Sequence, residues 1–212
     1  MSAKSTDTES QISWTAKTHA GRIRTNNEDT FLNIMFDHQN LAILGSVGES
    51  KRAGMEFIFA VSDGMGGANA GEFASRIATQ TVIELISREF HQKRSQSLVQ
   101  PAELLAIFFQ IVHEKTYKTG RYYEECQGMG ATLSLCWCSG DTLFIGHIGD
   151  SRIYHFPAAG GMDLLTIDHT RVGRLKREGI LNEREARESP YKHQLERAIG
   201  TDPGTIIPQI TS

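Results

Sequence analysis

Residues 57–67 read FIFAVSDGMGG, an apolar run that ends at Asp63 and passes directly into a cluster of glycines. The run from Glu56 to Ser62 predicts a β-strand. Glycine adopts backbone conformations that other residues avoid, so the cluster suits either a tight turn or a backbone that approaches a ligand closely. Taken alone, an Asp-Gly pair at a strand end favours the turn.

The sequence on either side of this run predicts more strands and then two helices. Before it, Ser13–Thr18 and Thr30–Met35 are strand-like and are separated by turn residues. After it, apolar residues recur at helical spacing from Gly71 to about Phe90, as expected for one face of an amphipathic helix. A second such helix is predicted from Pro101, which suits a first helical turn, to Lys118. The two apolar stripes consist of Phe73, Ile77, Val82, Leu85 and Ile86, and of Leu104, Leu105, Phe108, Ile111 and Val112.

The second half of the chain returns to strands and then becomes highly charged. Residues 130–156 predict three antiparallel strands joined by tight turns, and residues 163–167 predict one more. Short helical pieces are predicted in the charged stretch 170–197, where Asn182 and Glu185 have the spacing of a capping box. This order of strands, two long helices, a strand meander and a charged excursion predicts an α+β fold with helices packed on sheets.

Length, charge and cysteine content restrict the class of protein. At 212 residues and 23.5 kDa the chain fits one domain, which we place at residues 13–212 behind a polar, flexible arm of residues 1–12. The net charge of −3 provides no basic field for nucleic acid. No apolar run of about 18 residues is present to span a membrane. Three cysteines do not indicate a disulfide framework, so we expect a cytoplasmic protein.

Three further features have simple structural interpretations. The stretch 45–54, GSVGESKRAG, lacks the glycine that a phosphate-binding loop requires before its lysine, and we expect a solvated hairpin connection. Cys136 and Cys138 alternate on one predicted strand; with Cys126 they could bind zinc, but their one-residue spacing favours buried thiols. His147 is expected in the core or directly behind the ligands of a site.

Acidic residues stand at turns or strand ends in three separate segments. These are Glu28 and Asp29 in RTNNED, Asp63 before Gly64, and Asp150 in GHIGDSR. Each position on its own is typical of a turn. Together they offer the several oxygen ligands that a hard divalent cation requires, which favours a Mg²⁺ or Mn²⁺ site. Arg24 adds a forked guanidinium that suits a pair of phosphate oxygens, so the combination suggests phosphoryl chemistry.

Five short motifs, in this order and at comparable separations, resemble those of the bacterial branch of the protein phosphatase 2C family of metal-dependent Ser/Thr phosphatases. They are RTNNED, AVSDGMGG, GMGATL, GHIGDSRIY and LTIDHT. The resemblance runs from about residue 13 to residue 200 and includes a flap-like segment at about 170–192. It implies an α-β-β-α sandwich of two antiparallel sheets flanked by helices, and hydrolysis of phosphoserine or phosphothreonine in proteins.

By matching position, the resemblance also assigns the central site residues. Arg24 would bind the substrate phosphate. Glu28, Asp63 and the backbone carbonyl of Gly64 would hold two Mn²⁺ or Mg²⁺ ions, with Asp63 bridging them. In such a site the cations lower the pKa of a bridging water that attacks phosphorus, so no covalent enzyme intermediate is implied.

The same resemblance assigns three outer positions. Asp150 would contribute to a third, weaker metal ion, and Asp29 would orient the metal ligands. Met65 stands where some eukaryotic relatives have a histidine acid, so protonation of the leaving group would fall to another group or to water.

The resemblance stops before the family's last two aspartate motifs, which complete one of the principal metal sites. Residues 205–210, TIIPQI, resemble only the start of the next strand, which Pro208 would confine to a sheet edge or a bulge. Asp163, Asp168 and Asp202 are candidate replacements. We therefore expect a sheet without its last strands and weak or absent turnover.

Two functions from different classes follow from these patterns. The first is a phosphatase that acts on phosphorylated proteins and opposes a cognate Ser/Thr kinase. The second is a pseudophosphatase or regulatory binding module that keeps the fold without turnover.

Overall fold

The computed structural model describes residues 10–22, 24–37, 39–52, 54–66, 70–92 and 100–212, without the side chains of residues 89–92. Most of the expected N-terminal arm, residues 1–9, lies outside the described residues, as does Gly67 of the glycine cluster. Gln11 and Ile12, which we assigned to the arm, instead belong to the first strand, because they pair with a later strand.

The elements follow the predicted order of strands, helices and strands. The first five strands are β1 (Gln11–Thr15), β2 (Asp29–Phe36), β3 (Leu41–Ile43), β4 (Val47–Lys51) and β5 (Glu56–Met65). The two long helices are α1 (Ala70–Gln92) and α2 (Pro101–Tyr122), followed by a short 3₁₀ turn at Glu124–Cys126. The later elements are β6 (Gly130–Ala131), β7 (Leu133–Ser139), β8 (Thr142–Ile148), β9 (Tyr154–His155), β10 (Asp163–Leu164), α3 (Arg171–Arg177), α4 (Glu183–Glu188) and β11 (Gln209–Thr211).

One large antiparallel sheet organises the chain. Its strands lie in the order β11, β8, β7, β5, β2 and β3. The short strand β6 pairs with Gly64 and Met65, the last residues of β5, which follow the residues that pair with β7. The strand β5, which carries the FIFAVSD run, lies between β2 and β7 and forms the longest ladder of the sheet with β2. Since β5 ends at Met65, its last residues lie where the sheet meets the beginning of α1.

The helices α1 and α2 cover one face of this sheet and form the core with it. Ile58 and Ala60 of β5 point to the helices and are buried, as are Phe108 of α2 and Trp137 of β7, whose rings stack with their centroids 6.3 Å apart. Burying a large apolar side chain of this kind contributes about 2 kcal/mol. The helix-facing layer is therefore the main source of stability among the described residues.

Two residues of the predicted apolar stripes are exposed. Phe73 is 48% exposed, because the beginning of α1 packs on the sheet through the small side chains of Ala70, Ala74 and Ala78. Ile111 is 37% exposed at the margin of the buried face of α2. Small residues allow a helix to approach a sheet closely, and a pattern search for large apolar residues does not detect that contact.

The opposite face of the sheet carries a separate ribbon formed by β1 and β4. Trp14 of β1 packs on Phe57 and Phe59, with ring centroids 6.4 and 6.3 Å away. The strand β4 lies within the stretch 45–54, so this segment is a paired strand and not the solvated hairpin connection that we expected. The glycines of this stretch did not indicate a strand, because glycine is uncommon in strands. In the structure Gly48 leaves room for the Trp14 ring, with which a Cβ atom would collide.

The structure changes the expected connections after β8. The hairpin of β7 and β8 is confirmed, but the predicted third strand does not pair with them. Instead β9 pairs with β10, and the turn at Gly149 leads away from the large sheet. The capping box of α4 at Asn182 and Glu185 is confirmed. The strand β11 pairs with β8 at the sheet edge, directly after Pro208, as the sequence predicted.

The α+β class with helices packed on antiparallel sheets is confirmed by these elements. No described helix combines the length and the apolar character needed to cross a bilayer.

Candidate active site

The acids Asp29 and Asp63 lie directly opposite each other on neighbouring strands. Asp29 is the first residue of β2, and the antiparallel register pairs it with Asp63 near the end of β5. Side chains alternate between the two faces of a sheet along each strand. Asp63 lies four residues after Phe59, so both side chains point to the face opposite the helices. Asp29 points to the same face because it lies directly opposite Asp63. Like charges that face each other across a ladder are destabilising, so the fold maintains an electrostatic cost at this position.

Glu28 reaches the same end of the sheet from the turn before β2. Its backbone carbonyl accepts a hydrogen bond from the Gly64 N–H at 3.1 Å, and its side chain is only 13% exposed. The carboxylate lies against the first turn of α1, since a methyl group on Gly71 would come within 3.0 Å of Oε1. The N-terminal end of a helix favours negative charge, which helps to hold the carboxylate there.

Gly64 is buried between these groups, and its position requires glycine. A Cβ atom at this residue would lie 1.9 Å from the carbonyl oxygen of Gly71. The end of β5 and the start of α1 therefore pack backbone against backbone. This contact brings Glu28 and Asp63 to the same stretch of main chain.

Burial and neighbouring carboxylates both disfavour the charged form of Asp63. Burial, together with the charges of Asp29 and Asp150, raises the pKa of Asp63 to about 6. Glu28 adds to this effect, while Arg24 opposes it without cancelling it. The Asp63 side chain is still accessible to solvent at the end of the sheet. The four acids thus interact as one group with an excess of negative charge, as sites for cations do.

Arg24 is held beside this group of acids. Its Nη1 donates a hydrogen bond to Glu28 Oε2 at 2.7 Å, four residues along the chain. The Arg24 side chain is 63% exposed, so much of the guanidinium stays accessible to a ligand.

Asp150 follows a turn that the structure constrains tightly. Gly149 has a φ of 112°, and a Cβ atom there would lie 2.5 Å from Thr132 Cγ2. The Thr132 hydroxyl accepts a hydrogen bond from the Asp63 N–H at 2.9 Å and lies 2.8 Å from the Ser151 hydroxyl. Thr132 therefore connects the main chain of Asp63 to the residue that follows Asp150.

Two buried histidines lie behind this turn. His169 Nδ1 accepts a hydrogen bond from the Gly149 N–H at 3.1 Å. The ring of His147 stacks on that of His169 with a centroid separation of 5.0 Å. His147 Nε2 donates to the Ile167 carbonyl at 3.2 Å, which leaves its Nδ1 to accept from the Ser134 hydroxyl at 2.7 Å.

Both imidazoles are neutral at pH 7. Burial lowers the pKa of His147, which the sequence placed in the core or behind the site, and this placement is confirmed. Burial, followed by the neighbouring His147, lowers the pKa of His169 to about 4. Sequence reasoning gave no role to Thr132, Ser151 or His169. The only signal for them was their presence in the motifs GMGATL, GHIGDSRIY and LTIDHT.

The three aspartates considered as replacement ligands lie in other environments. The carboxylate of Asp168 accepts hydrogen bonds from Arg152, one of them at 2.8 Å. Asp163 belongs to the hairpin of β9 and β10. Asp202 lies near α2, where its carbonyl is 2.9 Å from His113 Nε2. The structure thus offers no support for these replacements.

The acids do not form a closed metal cage. Within the described ranges, no three His, Cys, Asp or Glu side chains converge closely enough to hold one ion by themselves. The site is therefore an open group of acids in which backbone carbonyls and water would complete the coordination of a cation.

A separate cavity of about 640 Å³ lies between β1 and the large sheet, and Trp14, Phe59 and Cys136 line it. None of the four acids is among the described residues that line this cavity, so the cavity is distinct from the candidate site. Cys136, which lines this cavity, and Cys138 are both partly exposed, contrary to the expectation of buried thiols. Cys126 is buried as expected.

Comparisons with known sequences agree on one family. The family described as protein phosphatase 2C matches residues 46–185. The serine/threonine phosphatase Stp of Listeria innocua is 31% identical over 189 residues, which cover 88% of this chain and 66% of that protein. The chain spans 66% of the length of the first curated relatives that it matches.

Comparisons of structure agree with those of sequence. The serine/threonine phosphatase of S. agalactiae superposes with a TM-score of 0.75 and 27% identity over 95% of this chain and 74% of that one. The catalytic domain of the phosphatase PstP, solved with two manganese ions, superposes with a TM-score of 0.64 and 24% identity over 95% of this chain and 70% of that one. These likenesses confirm the expected fold class.

Proposed function

Because the chain belongs to the protein phosphatase 2C family, we propose that it hydrolyses phosphoserine and phosphothreonine in proteins with the help of Mn²⁺ or Mg²⁺. One observation carries this proposal: the antiparallel register sets Asp29 opposite Asp63, where burial and the charges of Asp29, Asp150 and Glu28 raise the pKa of Asp63. Such an arrangement is unfavourable in the absence of a counter-charge and suits divalent cations.

The donor atoms fit hard cations. All four acids supply carboxylate oxygens, and Gly64 adds a backbone carbonyl at the same end of the sheet. Mg²⁺ usually keeps several waters and binds through one or two carboxylates, so an open group of acids is sufficient for it. The PstP catalytic domain, which shares the fold, was solved with two manganese ions.

We assign the metal-holding roles accordingly. Glu28, Asp63 and the Gly64 carbonyl hold the principal pair of ions, and Asp150 holds a third, weaker one. Asp29 orients the ligands from the opposite strand. When bound, the cations supply the Lewis acidity that neutralises phosphate charge and activates a water molecule for attack on phosphorus.

Arg24 binds and orients the phosphate group. Its guanidinium lies beside the acids and is largely exposed, so two of its N–H groups can meet two phosphate oxygens. The bond from Arg24 to Glu28 holds the guanidinium at the edge of the site before substrate arrives. Met65 carries no exchangeable proton, so the leaving group takes its proton from solvent or from another group.

The substrates in this proposal are cytoplasmic proteins phosphorylated by a Ser/Thr kinase. The relatives Stp and the S. agalactiae enzyme are named serine/threonine phosphatases, which supports this substrate class. All three cysteines are free thiols, as expected in a reducing compartment.

A second function is favoured by one specific observation. No three metal-binding side chains of the described part of the chain converge on one point. A pseudophosphatase or binding module would keep the fold and a phosphate-binding Arg24 with weak metal affinity and no turnover. Weak or absent turnover is the outcome that this second function predicts.

The decisive experiment measures hydrolysis of a phosphothreonine peptide and of p-nitrophenyl phosphate during titration with Mn²⁺. We expect saturable, Mn²⁺-dependent release of phosphate that Asp63→Asn abolishes. The matched control is Asp141→Asn, which removes a fully exposed carboxylate remote from the acids and leaves the rate unchanged.

Three outcomes separate the two functions. Mn²⁺-dependent turnover lost in Asp63→Asn supports the phosphatase. Hydrolysis without metal that survives Asp63→Asn contradicts the mechanism. A folded chain that binds a phosphopeptide through Arg24 without releasing phosphate supports the pseudophosphatase.

A further inference from the structure

One residue holds both polar groups of the Gly149 main chain. The Gly149 N–H donates to the ring Nδ1 of His169 at 3.1 Å, and the Gly149 carbonyl accepts from the His169 N–H at 2.7 Å. The two residues are separated by 20 positions in the chain. His169 thus holds both the N–H and the carbonyl of the turn residue directly before Asp150. We call this pair of hydrogen bonds the clasp.

The turn depends on bonds of this kind because it has no side chain of its own to anchor it. Gly149 has a φ of 112°, and its backbone lies so close to Thr132 that no Cβ atom fits. The carboxylate of Asp150 makes no hydrogen bond to any described residue. Its direction is therefore set by the main chain on either side, through His169 before it and through the Thr132–Ser151 contact after it.

His169 is itself held from several sides. It is 8% exposed, its ring stacks on His147, and its carbonyl accepts a hydrogen bond from the Glu196 N–H at 2.8 Å. His147 is fixed in turn by Ser134 and Ile167. The clasp is thus part of the packed interior and not a mobile surface contact.

We propose that His169 is a positioning residue that holds the Gly149–Asp150 turn so that the Asp150 carboxylate faces Asp63. This inference rests on the metal-binding role of Asp150 in the proposed function. His169 does not touch the substrate or the ions. It acts only through the direction of Asp150, as residues that orient metal ligands commonly do.

Two substitutions separate the hydrogen bond from the packing, because each keeps one of them and loses the other. In His169→Asn the amide oxygen takes the place of Nδ1 and can still accept from the Gly149 N–H. In His169→Leu the volume is similar but the acceptor is missing. His169→Gln, a polar variant with its acceptor displaced outward, replaces His169→Leu if the apolar variant does not fold.

The first measurement is amide hydrogen exchange at Gly149 by NMR, in the metal-free chain with EDTA. Loss of one hydrogen bond should accelerate exchange about fivefold in His169→Leu relative to His169→Asn. Equal exchange rates in the two variants would overturn the clasp. This readout involves no metal and no turnover.

The second measurement is Mn²⁺ binding, followed by the EPR signal of the free ion, with each His169 variant in the wild-type and the Asp150→Asn backgrounds. His169→Leu should weaken the weakest Mn²⁺ site by roughly tenfold, whereas His169→Asn should largely preserve it. In the Asp150→Asn background the His169 substitutions should have no further effect. A loss of the same size in both backgrounds would show a general structural role and overturn the proposal.

The two measurements also separate this inference from the proposed function. If exchange at Gly149 accelerates in His169→Leu while Mn²⁺ binding is unchanged, His169 does not position Asp150 and this inference is wrong. The metal role of Asp150 is tested separately, because Asp150→Asn alone should weaken Mn²⁺ binding. If Asp63→Asn leaves hydrolysis intact, the proposed mechanism fails whatever the exchange experiment shows.

Discussion

Gly64 at the end of β5 and Gly71 in the first turn of α1 pack so closely that a Cβ atom on Gly64 would lie 1.9 Å from the Gly71 carbonyl oxygen. Backbone atoms cannot move aside as a flexible side chain can. Since Glu28 bonds to the N–H of Gly64, this contact determines where the sheet, the helix and the acids meet.

Gly64→Ala should therefore destabilise the chain by about 3 kcal/mol, because β5 and α1 must separate to admit the methyl group. Urea unfolding followed by far-UV circular dichroism measures this loss. Gly45→Ala is the matched control, since a Cβ atom at Gly45 meets no atom within 4 Å. Equal midpoints for the two variants would contradict the backbone contact.

Asp63→Asn should stabilise the metal-free chain at pH 8, although we expect the same substitution to abolish the proposed Mn²⁺-dependent activity. A carboxyl whose pKa is raised to about 6 by burial and neighbouring acids favours its protonated form in the folded state. Stability is then lost as pH rises from about 4 to about 6, and the amide avoids this loss. We expect a gain of about 1 kcal/mol, reduced from the full value because the side chain is partly exposed.

The measurement is urea unfolding in EDTA at pH 8 and at pH 4.5, where the gain should shrink. Asp141→Asn serves as the exposed control and should leave the free energy of unfolding unchanged at both pH values. Addition of Mn²⁺ should stabilise the wild-type chain more than Asp63→Asn. A variant that is less stable than wild type in EDTA would argue against repulsion among the acids.

Arg24→Ala should weaken substrate binding at a modest cost in stability. The guanidinium is largely exposed but the side chain of its partner Glu28 is only 13% exposed, so loss of the pair should lower the free energy of unfolding by about 1 kcal/mol. The Michaelis constant for a phosphopeptide should rise by roughly tenfold, because a charge-assisted hydrogen bond to phosphate is lost. Arg24→Lys should recover only part of this loss, since a lysine cannot bind two oxygens in a fork.

The control for this prediction is Arg76→Ala. Arg76 forms an equivalent pair with Glu72 at 2.8 Å on α1, and its side chain is 60% exposed, close to the exposure of Arg24. Steady-state kinetics of both variants should show a change for Arg24 alone. A similar Michaelis constant for the two would remove Arg24 from the phosphate site.

Acidification should destabilise the chain through His169. Its pKa in the folded state is about 4, mainly because of burial, below the ordinary value of 6.5. The unfolded chain therefore takes up the proton first, and stability is lost as pH falls from about 6.5 to about 4. We expect this histidine to account for about 2 kcal/mol of that loss, since one pKa unit corresponds to about 1.4 kcal/mol and the ring is buried.

Urea unfolding at pH 7.5, 5.5 and 4.5 tests this prediction. His169→Asn should lose less stability than wild type over that interval, whereas His193→Asn, at an exposed position, should follow the wild-type profile. Parallel profiles for wild type and His169→Asn would show that the buried ring does not govern the acid response.

The elements with strong local patterns were predictable from the sequence. Both long helices, the strand that carries Asp63 and the capping box of α4 depend on periodicity or capping within one segment, and the structure confirms them. The motifs around the acids indicated the family, which the sequence comparison confirms. Phe73 was misplaced because helical spacing does not reveal that Ala70 and Ala74 make the close contact with the sheet.

The amino-acid sequence by itself thus determined the segments, their chemistry and the family, since these properties reside in neighbouring residues. Only the tertiary structure decided that Asp29 faces Asp63, that Gly64 touches Gly71, and that His169 clasps Gly149. Each of these contacts joins segments that are distant in the chain. Their geometry follows from strand register and backbone packing, which depend on the free energy of the whole fold and leave no periodic trace in either segment alone.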